Sequence, residues 1–214
     1  KEAINQAVFY GQTNTPDILG DETWTGRPTA GTYDSYTYDL DKAKEYLAQS
    51  DYDGREFKVV TWANTNLEKA AQVMQASLHE VGINMKIVAV DRATFWDEVR
   101  NTEDWDACIH CLGASSLDMD AYNHFMMSMY PQYFNEKQVL PNGQEMNDLV
   151  IAGRLEPDQA KRIEIYTQLV NLINDEAVSM PLYQEVNTAL YRVGLKNVTA
   201  DQAVPVNRFF DYTY

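Results

Sequence analysis

The sequence is poor in basic residues and has no long apolar run. Lys and Arg number 17 against 32 Asp and Glu, which gives a formal charge of −15 at pH 7. Because phosphate backbones and anionic lipid surfaces repel such a charge, the composition excludes nucleic acid as an expected partner. No segment approaches the run of about 18 apolar residues that a membrane-spanning helix requires. The 214 residues are enough for one large α/β domain with a hydrophobic core or for two small domains, and we expect one.

Cysteine and histidine are also rare, with two and three residues respectively. Cys108 and Cys111 end a predicted strand (DACIHC), whose side chains alternate between two faces. We therefore predict buried, unpaired thiols in place of a redox pair or half of a zinc site. The histidines lack ligand spacing on a helix face, and the methionines at 126, 127 and 129 cannot share one. We predict no metal and no cofactor, with a soft-metal site as the alternative.

Catalytic signatures are missing as well. Ser115 and Ser116 lack a GxSxG elbow, and the sequence has neither a P-loop nor a GxGxxG phosphate cradle. This favours a binding protein over an enzyme. The alternative from a different class is an α/β hydrolase in which Asp118 and Asp120 supply a carboxylate pair.

The first 37 residues predict a helix followed by an irregular segment. Ala3, Ile4, Ala7 and Val8 form a helical stripe that starts without a cap or a signal-peptide pattern, so we expect a chain cut from a larger protein. Residues 11–37 are rich in Gly, Thr, Pro, Asp and Tyr without periodicity. We expect this irregular segment to pack on a single lobe that spans residues 1–214.

Strands and helices alternate in the first half of the chain. FKVVTWA (57–63), INMKIVAV (83–90) and DWDACIHC (104–111) predict strands, and Asp91 predicts the N-cap of the helix between the last two. This order predicts βαβ units and a largely parallel sheet. Ligands of such sheets bind beyond the carboxyl ends of the strands.

Further elements are predicted around these strands. Helices are expected at 40–47, 67–81, 122–127, 146–155 and, with Pro157 in its first turn, 156–177; apolar strands are expected at SMPLYQ (179–184) and NTALYRV (187–193).

Five segments in order resemble one family across nearly the whole chain: YDLDKAKEYLAQSDYDG, FKVVTWANTN, ASLHEVGINMKIVAVDRATFWDEV, DWDACIHCLGASSLDMDAYNHFM and RIEIYTQLVNLINDEAVSMPLYQEVNTALYRVGLKNV. They are similar to the C-terminal lobe of the peptide/nickel-type solute-binding proteins of bacterial ABC importers. The resemblance implies an α/β lobe of the periplasmic-binding-protein-like class II type, with a mostly parallel mixed sheet flanked by helices on both faces.

The resemblance also implies a function and its partners. The whole protein is expected to capture an oligopeptide or a similar small polar solute between this lobe and a missing N-terminal lobe, and to deliver it to ABC permease subunits. An oligosaccharide is the alternative ligand. The location implied is extracytoplasmic, either periplasmic or lipid-anchored at the cell surface.

Two regions carry the ligand residues that the resemblance implies. Arg100 stands where peptide-binding relatives have a ligand-contacting arginine, although a cation near a helix C-terminus needs no ligand. CLGASSLDMD (111–120) corresponds to the family stretch WxADYxDP, so Leu112 replaces Trp, Ser115 replaces the Asp that pairs with a ligand ammonium, and Ser116 replaces Tyr. Serine cannot neutralise an ammonium group. Asp118 or Asp120 is a possible substitute, with a solvated loop carboxylate as the alternative.

The end of the first predicted strand adds two candidates. Trp62 is expected to stack on a sugar or an apolar side chain, or else to pack against a neighbouring helix, and Asn64 lies in reach of the same edge. Trp96 is expected in the core. The predicted ligand-binding set is Trp62, Asn64, Arg100, Leu112, Gly113, Ser115 and Asp118.

Overall fold

The computed structural model describes residues 1–20, 22–111, 117–124, 140–186 and 190–198. Its internal contacts divide the chain into two compact units: Lys1–Thr15 with Tyr36–Leu112, and Pro16–Ser35 with Gly113–Tyr214. The single lobe over residues 1–214 stays a prediction. In the described part of the chain, no helix is long and apolar enough to cross a membrane.

The first unit is built on a parallel sheet. Strand β1 (Phe57–Trp62) is central, with β2 (Met85–Val90) on one side and β3 (Ala107–Ile109) on the other. Both pairings are parallel, and Trp62 is the register partner of Val90. The β-branched, apolar runs that predicted these strands supply the buried centre of β1. The predicted βαβ order is confirmed.

The same unit contains the helices α1 (Glu2–Phe9), α2 (Leu40–Gln49), α3 (Asn66–Glu80) and α4 (Arg92–Asn101), of which α1 packs on α3. Helix α3 packs on β1 and β2 through side chains that include the fully buried Ala70 and Ala71, and α4 packs on β1 through Phe95. Because the two crossovers leave β1 and β2 in opposite directions across the sheet, right-handed connections place α3 and α4 on opposite faces. The predicted α/β class is confirmed.

The second unit contains α5 (Met119–His124), α6 (Gly143–Leu155) and α7 (Gln159–Asp175), the last two packed on each other. Gly153 lets them approach closely, since a Cβ there would lie 2.3 Å from the Tyr166 ring. Residues of the 16–35 segment join this core through Ile18 and Tyr33, which cluster with Val170.

Three predicted strands differ from what the described residues show. Residues 179–184 do not form the predicted strand, because Pro181 has no N–H to donate to a ladder. In the second predicted strand, residues 187–189 lie outside the described residues, and residues 190–193 do not form a strand. Strand β3 is shorter than predicted, and Asp104 and Asp106 at its amino end form ion pairs with Lys58 and Arg55.

Candidate functional site

The carboxyl ends of the three strands lie at one edge of the sheet. Trp62 and Val90 end β1 and β2 as register partners, and Thr61 pairs with Ile109 at the end of β3. The buried Thr61 hydroxyl donates to the Ile109 carbonyl at 3.0 Å and ties these two strands together there. We refer to this border as the carboxyl edge.

Trp62 connects the carboxyl edge to helix α4. Its half-buried ring meets Phe95 edge-on, with centroids 5.8 Å apart, and the Arg92 guanidinium lies 4.9 Å above the Trp62 ring. The indole Nε1 is shielded from solvent and has no hydrogen-bond partner among the described residues. The packing of Trp62 against a neighbouring helix is therefore present, and its ligand contact stays a prediction.

Asn64 occupies the turn between β1 and α3. Its φ of 59° lies in the left-handed region, which asparagine tolerates better than most residues. Its backbone N–H donates to Glu68 at 2.6 Å, while the residue itself is exposed. The structure thus gives Asn64 a role in starting α3, and its contact with a ligand stays a prediction.

Helix α4 begins at the carboxyl edge. The predicted N-cap Asp91 accepts hydrogen bonds from the backbone N–H groups of Ala93 and Thr94 and from the Thr94 hydroxyl. The Thr94 side chain and these N–H groups lower the pKa of Asp91 below its usual range. The Asp91 carboxylate therefore caps the amino terminus of α4.

A second arginine is stacked further along α4. Arg100 lies over the ring of Trp96 at 4.9 Å, in the last turn of the helix, where a cation also suits the helix dipole. Trp96 is half-buried, so the prediction that it lies in the core was wrong. Arg92, Trp96 and Arg100 follow one another at intervals of four and form one stripe of the helix. Ligand contact by Arg100 stays a prediction.

His110 completes a group of four rings at the end of β3. Its centroid is 5.9 Å from Phe95 and 5.6 Å from Trp96. Burial lowers the pKa of His110, against a weaker opposite effect of the Cys111 carbonyl, so the imidazole is neutral at pH 7. We call Trp62, Phe95, Trp96 and His110 the ring cluster. Sequence reading missed it because its members come from β1, α4 and the end of β3.

The two cysteines differ in exposure. Burial raises the pKa of Cys108 to about 12, whereas Cys111 is exposed. Cys108 is half-buried, so the prediction of a buried thiol holds for it only in part, and the prediction is wrong for Cys111. Among the described residues, no group of three or more His, Cys, Asp or Glu side chains is arranged to hold a metal ion.

In the second unit, the carboxylate of Asp118 is bound by an arginine. Arg162 donates from Nη1 to Oδ2 at 2.7 Å and from Nη2 to Oδ1 at 2.6 Å, and its Nε donates to the Gly153 carbonyl at 2.9 Å. Burial opposes ionisation of Asp118, but the Arg162 hydrogen bonds together with the Asp120 N–H lower its pKa overall. The hydrogen bonds to Asp118 raise the pKa of Arg162.

These contacts make Arg162 the structural partner of Asp118, which the sequence pattern did not predict. Its contact with a ligand remains a prediction. Asp120 is paired in the same way with Arg154, whose Nε lies 3.0 Å from Oδ1. Both carboxylates of the hydrolase alternative are therefore held by arginines. Leu112, Gly113, Ser115 and Ser116 lie outside the described residues.

Comparisons with known proteins give a consistent set of similarities. Residues 1–134 match the family model of bacterial extracellular solute-binding proteins, family 5 Middle. The dipeptide-binding protein of Escherichia coli (strain K12) is 23% identical over 188 residues, which is 84% of this chain and 34% of that protein. The chain therefore spans about a third of the length of this relative.

Two solved structures show the same fold. The periplasmic binding protein DppA from Helicobacter pylori, in complex with peptide STSA, matches with a TM-score of 0.70 and 24% identity over 85% of this chain and 35% of that chain. The periplasmic oligopeptide-binding protein from Thermotoga maritima, with bound mannohexaose, matches with a TM-score of 0.69 and 17% identity over 85% of this chain and 38% of that one.

Proposed function

The chain belongs to the family 5 bacterial extracellular solute-binding proteins, and from this we propose that it is part of the substrate-binding component of an ABC-type importer. The observation that carries the proposal is the carboxyl edge, where three parallel strands end together beside the ring cluster. In open α/β sheets this is the border at which ligands bind. The whole protein captures an oligopeptide or a similar small polar solute.

The binding site of the whole protein is shared between two lobes. The relatives described above are about three times as long as the part that this chain matches, which supports a second, N-terminal lobe. The solute is enclosed when the two lobes close by a hinge motion, and the closed form then docks on the permease subunits. This activity belongs outside the cytoplasm, in the periplasm or at a lipid-anchored position on the cell surface. Because half of the solute contacts come from the other lobe, the chain alone binds weakly.

An oligosaccharide is the second candidate ligand, and two observations favour it. The Thermotoga maritima relative was solved with mannohexaose. Ser115 stands where peptide binders of the family have the aspartate that receives the ligand ammonium. A serine hydroxyl binds sugar hydroxyls but leaves a buried ammonium group without its counter-charge.

Isothermal titration of the complete two-lobed protein against peptide pools and oligosaccharide pools tests the proposal. We expect heat of binding with one of the two pools and no turnover of either. Absence of binding with both pools, together with hydrolysis of any substrate in them, would contradict import and support the hydrolase alternative.

Ser115→Asp tests the position of the ammonium site. The added carboxylate is expected to raise the affinity for peptides with a free amino terminus by about tenfold or more, the size of one charge-assisted hydrogen bond. The matched control is the same titration with amino-acetylated peptides, whose affinity should not rise. No gain with the free amines would show that residue 115 does not face the ligand amino terminus.

A further inference from the structure

Strand β2 lies at an edge of the sheet. In the described part of the chain it pairs with β1 on one side and with no strand on the other. The Ala63 N–H donates to the Val90 carbonyl at 2.8 Å, so the even-numbered residues of β2 direct their backbone groups toward β1. The odd-numbered residues therefore direct theirs away from the sheet. These residues are Met85, Ile87 and Ala89.

Two residues of this edge keep their outward backbone groups unpaired. The Met85 carbonyl accepts a hydrogen bond from the Gln75 side chain at 2.8 Å, and the Met85 N–H donates to the Ile83 carbonyl at 3.2 Å. No described residue pairs with the outward N–H and C=O groups of Ile87 and Ala89. A row of unpaired backbone groups on an edge strand is a template for one more strand.

The edge lacks the usual protection against such pairing. Natural edge strands exclude a further strand with a proline, a β-bulge or unpaired lysines. The MKIVAV sequence of β2 has no proline, and all of its residues are in register with β1. Its one charged side chain, Lys86, has its Nζ 3.5 Å from the Glu56 carboxylate. The β2 edge is therefore open to an extended backbone.

Helix α3 adds a surface of low charge beside this edge. The helix packs on both β1 and β2. Residues 70–90 contain one acidic residue, Glu80, and one basic residue, Lys86. A chain with a net charge of −15 repels its own copies over most of its surface, but this region has no net charge with which to repel them. A groove with a volume of about 300 Å³ lies between α3 and the start of β2, and its α3 side includes Gln72, Ala76 and His79.

We propose that two copies of this protein associate through β2, with the two strands antiparallel across a two-fold axis at Val88. The unpaired groups define this register, because Ile87 of each copy then exchanges two hydrogen bonds with Ala89 of the other and every unpaired group is satisfied. The two sheets become continuous, and the two α3 helices lie on the same face. A helix over the β1–β2 pair is roughly 5 Å from the axis, so the α3 helices are about 10 Å apart, the distance at which helices pack.

The first test is sedimentation velocity of the complete two-lobed protein at a series of concentrations. The unmodified protein is expected to change from monomer to dimer as the concentration rises. Ala76→Glu adds an acidic side chain to the exposed side of α3 in both copies, so it should weaken association by about tenfold or more. Ala152→Glu is the matched control. It makes the same change at an exposed alanine of α6 and should leave association unchanged.

Disulfide trapping tests the register. Cys111→Ser first removes the exposed native thiol. In that background, Val88→Cys places the two Cα atoms about 4.5 Å apart, within reach of a disulfide. Lys86→Cys is the control, because Lys86 is more exposed than Val88 but its two copies lie about 13 Å apart along the strands. Non-reducing electrophoresis after mild oxidation should show a covalent dimer for Val88→Cys and none for Lys86→Cys.

Three results would overturn the inference. A monomer at every concentration shows that the β2 edge takes no second copy, and leaves the edge to the other lobe or to an extended segment of another protein. A dimer that Ala76→Glu does not weaken is formed through another surface. Equal trapping of the two cysteine variants excludes a two-fold axis at Val88. Because Ala76 is exposed, the sedimentation test decides the question if Val88→Cys fails to fold.

Discussion

Two arginines of this chain have opposite surroundings. In the unit that contains α6 and α7, Arg162 is 8% exposed and donates to both carboxylate oxygens of Asp118 and to the Gly153 carbonyl. In the unit that contains the sheet, Arg92 is exposed and has a tryptophan ring as its described contact. The fold satisfies the donors of the Arg162 guanidinium, whereas the described residues supply no acceptor for Arg92. The comparison separates an arginine that maintains structure from one whose described contact is a ring.

The largest effect on stability is expected for Arg162→Ala. It leaves the Asp118 carboxylate half-buried without its counter-charge, so the free energy of unfolding should fall by about 2–4 kcal/mol. Urea denaturation followed by circular dichroism measures the change. Arg154→Ala is the control, because its pair with Asp120 is more exposed and should contribute about 1 kcal/mol or less. Equal losses in the two variants would contradict the structural role of Arg162.

Acid titration tests the ion pair of Arg162 from the side of Asp118. Its pKa is lower in the folded state than the ordinary value near 4, so its contribution is complete above that value and is lost as the pH falls through the folded pKa. Asp118→Asn should therefore be less stable than the unmodified protein at pH 7, by about 1.5–3 kcal/mol. The difference should shrink steadily below about pH 4. Urea denaturation at a series of pH values measures it, and a difference that does not change with pH would contradict the ionised pair.

The smallest effect is expected for Arg92. Arg92→Gln removes an exposed cation from a ring and should change the free energy of unfolding by about 0.5–1 kcal/mol or less. The loss of cation stacking is opposed by relief of the unfavourable charge at the start of α4. The same urea denaturation measures it. A loss as large as that of Arg162→Ala would show that Arg92 also maintains the fold.

The parts of the fold that rest on local patterns were predictable from the sequence. The apolar runs of β1 and β2 and the N-cap Asp91 all have the predicted role, because burial and capping depend on neighbouring residues. The predicted strand at 179–184 failed on a similarly local ground: an apolar run was read without the cost of the missing N–H of Pro181.

The candidate site was predictable only at its border. Parallel strands imply a shared carboxyl edge, and Trp62 was placed there correctly as the last residue of β1. The partner of Asp118 lies 44 residues away, and no local spacing reveals it. The position of Arg92 beside Trp62 could have been predicted. Parallel strands end together, so the helix that starts two residues after Val90 begins near Trp62, the register partner of Val90.

Because the two cysteines differ in exposure, Cys111 can be labelled selectively. At neutral pH a thiol with a pKa of about 12 is almost entirely protonated and unreactive, so Cys108 does not compete for alkylating reagents. Cys111 is exposed and follows the last residue of β3 by two positions. A maleimide fluorophore attached there, without any engineered mutation, would stand beside the strand ends and report solute capture as a change in emission.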